Sequence, residues 1–131
     1  MDEPPLLLDG ARVIEYAVFD QSVKPSADVS LIVGGVTLDL TNVRGVVIAE
    51  NLAEGGAFLL HCDERWQTLG AGYCASAEVA REAAEHAYAG VAAHWRQFHE
   101  LSVEERAEVE AVRSHLRELL AEFPNGPGHA A

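Results

Sequence analysis

The stretch AFLLHCDERWQTLGAGYCASAEVAREAAEHA, residues 57–87, changes its period in the middle. Up to Cys74 it consists of short apolar and aromatic runs around a turn-forming DERW. From Ser76 onward the apolar residues recur at three and four, the spacing of an amphipathic helix. Ser76 suits the N-cap, and Glu78 sits in the first turn, where the helix dipole favours a carboxylate. The chain before this junction therefore reads as sheet and the chain after it as helix.

Working back, ARVIEYAVFD (11–20) alternates as a strand, with Val13, Ala17 and Phe19 on one face and Ile14, Tyr16 and Val18 on the other. Apolar residues on both faces predict that both are covered. QSVKPSAD reads as a loop, because Pro25 cannot donate to a ladder. In VSLIVGGVTLDL, Gly34 and Gly35 suit a two-residue hairpin turn, with one long bulged strand as the competing reading. TNVRG is a turn, VVIAE a strand, NLAEGG a loop. The expectation is α+β: a curled, mostly antiparallel sheet of about six strands over 11–74, possibly barrel-like, followed by two C-terminal helices in one domain spanning 11–123. Residues 1–10 are expected to be a flexible lead-in and 124–131 a disordered tail.

Working forward, the spacing predicts a helix over 77–99 with a buried stripe of Val79, Ala80, Ala83, Ala84, Ala87, Val91, Trp95 and Phe98, and a kink or break at Gly90. A second helix, 103–123, opens with a capping box of Ser102 and Glu105. Its seam, Val109, Val112, Leu116, Leu119 and Phe123, is spaced three, four, three, four, a heptad pattern. Such a seam packs within the chain or pairs with its copy in a homodimer.

The 131 residues carry 9 basic against 21 acidic side chains, a net charge of −12. The excess is spread along the chain, and no basic stripe exists to displace counterions from phosphates. Nucleic acid and anionic membrane surfaces are therefore disfavoured, whereas a basic protein partner is permitted. No run approaches a membrane span, MDEPPLLLDG lacks the basic region of a signal peptide, and two cysteines suggest reduced thiols in the cytoplasm. Eight Arg against one Lys, with abundant Ala, Gly and Val, is a composition associated with bacterial, GC-rich genomes.

The same opening stretch holds His61, Cys62, Asp63, Glu64 and Cys74. With DERW as a four-residue loop, Cys62 faces Gln67 and Cys74 lies several strand residues away, too far for a shared metal or a disulfide. Strand alternation sends His61 and Cys62 to opposite faces, which argues against a Cys–His nucleophile pair. The other histidines match no zinc pattern, and neither a phosphate loop nor a nucleophile elbow is present. No metal, cofactor or catalytic residue is assigned. Candidate binding residues are His61 and Trp66, on the outer face of the hairpin, with Tyr73 and Tyr88 between sheet and helix.

Residues 58–91 resemble a strand, turn, strand and Ser-capped helix element of small uncharacterised bacterial α+β proteins of accessory or immunity-like type. In these an apolar strand ends in a Cys-Asp pair, a Trp follows the turn, and a Glu- and Ala-rich helix runs to a Tyr-x-Gly-like bend. More loosely, Ser76 and Glu78 resemble the Thr- or Ser-x-Glu helix opening of HicB-type antitoxin domains. The first resemblance implies fold more than activity, the second a basic toxin as partner. The function these readings support is a non-catalytic protein-binding module, with an antitoxin-type regulator and a small-ligand barrel or unrecognised enzyme as alternatives.

Overall fold

A computed structural model describes residues 1–26, 31–33 and 35–122, the side chains of 31–33 excepted. The chain folds as a curled antiparallel sheet followed by helices, the α+β arrangement expected. In chain order the strands are β1 (Leu7–Leu8), β2 (Ala11–Val18), β3 (Lys24–Pro25), β4 (Leu31–Val33), β5 (Val36–Leu38), β6 (Gly45–Glu50), β7 (Ala57–Cys62) and β8 (Thr68–Cys74). Then come α1 (Ala77–Ala87), β9 (Tyr88–Ala89), β10 (Trp95–Gln97) and α2 (Val103–Glu122).

The main sheet runs β1-β2-β6-β7-β8, and β10 also pairs with β2. β1 occupies the Ala11–Arg12 end of β2 and β10 the Glu15–Ala17 end, so two short strands share one edge. Leu31–Val33 and Val36–Leu38 form a hairpin of their own, with Val33 opposite Val36 as a two-residue turn requires. Gly34 of that turn, Phe123 of the seam and the 124–131 tail lie outside the described residues.

Both sheet faces are buried. One carries Ala17, Val46, Ile48 and Leu59 against Ala80, Ala84 and Ala87 of α1. The other carries Val13, Tyr16, Val47, Ala49, Leu60 and Cys62 against Leu8 and Trp66. Val13 changes sides relative to the simple alternation. The register between β2 and β6 slips between Val13 and Glu15, and the extra residue rotates everything after it by one face. Glu15 is thereby directed to the α1 side, where it is 1% exposed.

The helix expected over 77–99 stops at Ala87. Ser76 caps its start by accepting from the Val79 amide at 3.2 Å. At its end, Ser26 donates its amide to the Ala87 carbonyl at 2.8 Å and its hydroxyl to the His86 carbonyl at 2.7 Å. These bonds satisfy acceptors that a longer helix would have used internally. The segment read as a loop, QSVKPSAD, thus supplies β3, which pairs with β9. Gly90 follows at φ +91°, and a Cβ there would lie 2.5 Å from the Ser22 carbonyl oxygen, so this close crossing needs glycine. The buried residues of α1 are Ala80, Ala84 and Ala87, whereas Val79 is 44% exposed and Ala83 exposed, contrary to the stripe expected of them.

Residues 1–10, expected as a flexible lead-in, make defined contacts. β1 pairs with β2, Pro4 is buried, and the Asp2 carbonyl accepts the Trp66 indole N–H at 2.9 Å.

Candidate functional site

The DERW turn is one residue longer than expected. Cys62 pairs with Thr68 rather than Gln67, and the loop closes through Asp63 N–H to Gln67 C=O at 3.0 Å. The Asp63 carboxylate accepts the Arg65 and Gln67 amides at 2.8 and 2.9 Å, so it works as a turn acceptor. Trp66 takes φ +61°, which folds its indole back over the sheet. It lands on the Cys62 face, edge-on to Tyr16 with ring centroids 5.9 Å apart, and is 7% exposed. A Cβ on Gly45 would come within 2.8 Å of this indole, so glycine makes the seat.

Of the four candidate binding residues, the fold brings two together. His61 points to the α1 face, opposite Cys62 as strand alternation requires, and is 3% exposed rather than outward. Its Nδ1 lies 2.6 Å from the Tyr88 hydroxyl, and the Tyr88 ring packs tilted against Phe19 with centroids 4.8 Å apart. Tyr88 sits in β9 and not on the helix. Burial pushes the His61 imidazole down to about 4, so the ring is neutral at pH 7. Burial likewise raises the Tyr88 hydroxyl, and the Cys62 thiol is pushed up to about 12. Neither group is activated for nucleophilic chemistry. Trp66 lies on the other face. Tyr73 is 60% exposed on β8, edge-on to Phe58, with its hydroxyl 3.3 Å from the Gly55 carbonyl.

Sequence reading missed a second buried polar group. The Arg81 guanidinium donates from Nε at 2.9 Å and from a terminal nitrogen to one Glu15 oxygen, and the Gln97 amide donates to the other at 2.6 Å. One carboxylate thus ties β2, α1 and β10 together. The bulge puts Glu15 on the α1 face and Val13 on the other, and no local pattern signals the Arg81 and Gln97 partners.

The heptad seam is partly used within the chain. Val109 is buried, Val112 and Leu116 are half-buried, and Leu119 is 37% exposed. Arg113 ties α2 to the sheet through Glu50 at 3.3 Å. Beyond that tie, Leu116, Leu119 and Leu120 line a concavity of about 310 Å³ with Leu52 and Phe58, and Asp9 and Glu54 stand on its rim. Its far wall is a fixed loop, for the Asn51 side chain accepts the Ala53 and Glu54 amides and its carbonyl accepts Gly55 N–H.

Among the described residues no group of three or more His, Cys, Asp or Glu is arranged to hold a metal ion. No described helix is long and apolar enough to cross a membrane. Comparison with protein-family models, with characterised proteins and with solved structures finds no match to this chain. The fold and its groove therefore stand on their own geometry.

Proposed function

We propose that this chain is a non-catalytic protein-binding module of accessory or immunity-like type, which takes an apolar segment of a basic partner into the α2 groove. One observation carries the reading: the C-terminal half of α2 directs Leu116, Leu119 and Leu120 into an open apolar concavity with carboxylates at its rim. An apolar groove of this kind receives the apolar face of an amphipathic segment. A net charge of −12 favours encounter with a cationic partner and disfavours nucleic acid. The polar groups with catalytic potential, His61, Tyr88 and Glu15, are buried and bonded to one another or to their neighbours. An antitoxin-type role, binding a basic toxin, uses the same charge and the same surface. Two free cysteines accord with a reducing cytoplasm.

The test is purification under native conditions of the wild-type chain and of Leu119→Glu. A basic protein that copurifies stoichiometrically with the wild type and is lost from Leu119→Glu, at unchanged melting temperature, supports the proposal. A monomer with no partner, or a partner retained equally by both, refutes it. A wild-type dimer that Leu119→Glu converts to monomer would instead assign the groove to a second copy of the chain.

A further inference from the structure

His99 lies between two carboxylates. Its Nδ1 is 2.5 Å from one Glu3 oxygen, and its Nε2 is 2.9 and 3.0 Å from the two Glu105 oxygens. Its backbone amide also donates to the other Glu3 oxygen at 3.2 Å. A neutral imidazole has one N–H, and ionised carboxylates only accept, so both contacts can be hydrogen bonds only when the ring is an imidazolium. Each partner belongs to a different element. Glu105 is the capping-box residue of α2, accepting the Ser102 amide at 3.0 Å. Glu3 belongs to the Asp2–Leu6 segment, which crosses the Tyr16–Trp66 face and bonds at Asp2 to the Trp66 indole and at Leu6 to the Val13 amide.

We infer that Asp2–Leu6 is a strap latched over the Tyr16–Trp66 face by the charged Glu3–His99–Glu105 triad, and that raising the pH releases it. Loss of the proton leaves one N–H for two carboxylates. One of them then meets a ring lone pair, and Glu3 and Glu105 face each other without a cation between them. The strap loses its charged tie to α2, the Trp66 indole can part from its acceptor, and an aromatic pair opens to solvent or a partner.

Other charged groups face the same region. Arg12 from β2 and Arg106 from α2 line a cavity shared with His99 and Glu100. Arg106 is directed to Glu100 at 3.9 Å and Arg12 to Glu50 at 3.7 Å, whereas Glu3 and Glu105 touch the ring itself. The balance favours the proton: hydrogen bonds first from Glu3 and then from Glu105 hold His99 above the ordinary histidine range. A raised value in the folded state means that the latch is complete below about 6.5, the unperturbed histidine value, and is lost as the pH climbs through the folded one. The triad is solvent-exposed, so salt weakens it as well.

The experiment compares the full-length wild type with His99→Gln by NMR, following exchange of the Trp66 indole N–H with solvent from pH 5.5 to 9. The ratio of the two protection factors cancels the intrinsic pH dependence of exchange. Below the His99 titration the wild type should be protected about twofold to fivefold more, the range of an exposed ion pair. The ratio should fall to unity with the midpoint of the His99 ring, read in the same spectra and lying above the ordinary value. The Trp95 indole, which bonds to Glu85 at 3.2 Å, is the internal control and should show a constant ratio. Glu3→Gln should behave like His99→Gln. A ratio of one at every pH, a constant ratio above one, or a His99 midpoint at or below the ordinary value would overturn the inference.

Discussion

Replacing Arg81 with Met tests whether the buried carboxylate is a structural keystone. Glu15 is 1% exposed, and among the described residues its side chain bonds to Arg81 and Gln97. Arg81→Met keeps much of the aliphatic stem and removes the cation, leaving a charge in the core with one amide donor. Breaking a buried ion pair from one side costs about 3–5 kcal/mol. The Arg81 side chain is itself 40% exposed, so water can replace part of what it supplied. The expected loss is therefore about 2–3 kcal/mol. An unfolding entropy near 2.1 cal/mol/K per residue makes this a fall in Tm of about 7–11 °C for a chain of 131 residues. Calorimetry and urea denaturation supply the numbers, and Glu15→Gln with Arg81→Met closes a double-mutant cycle. The double variant should regain at least about 1 kcal/mol over Arg81→Met, because a neutral amide is cheaper to bury than an unpaired charge. A Tm within about 2 °C of wild type, or a double variant no more stable than Arg81→Met, would show that Glu15 reaches solvent or that the bulge does not direct it inward.

Three further outcomes are expected. Leu60→Ala should destabilise by about 2–5 kcal/mol in urea unfolding, because Leu60 is 2% exposed on the Trp66 face. Gly90→Ala should cost more than about 1 kcal/mol, through its positive φ and the Ser22 carbonyl in the path of any Cβ, with the loss read as a fall in Tm. His61 is held neutral in the fold, with its value lowered to about 4, so the unfolded chain takes up the proton first on acidification. Stability should then fall by roughly 3 kcal/mol between about pH 6.5 and 4, and the fall should be absent from His61→Gln in denaturant titrations across that range.

The period change at Ser76, the Ser76 cap, the Ser102–Glu105 capping box and the turn residues are local signals, and each was legible in the chain. They set the fold class, the start of both helices, the opposite facing of His61 and Cys62, and the sheet buried on both sides. These features depend on backbone chemistry and side-chain alternation within a few residues. What the chain could not reveal arises where distant segments meet. Ser26 ends α1 eleven residues into a helical pattern that continues, because its bonds to His86 and Ala87 are made across the fold. The bulge after Val13 becomes evident only in register with β6, and it sets Val13 and Glu15 on opposite faces of the sheet. Trp66 covers the sheet because its left-handed backbone and Gly45 leave it a seat. The division of the α2 seam into a buried Val109 and an open Leu116–Leu120 groove depends on how α2 lies against the rest of the chain. Sequence periodicity specifies which residues share a face, and long-range pairing decides which of those faces is covered.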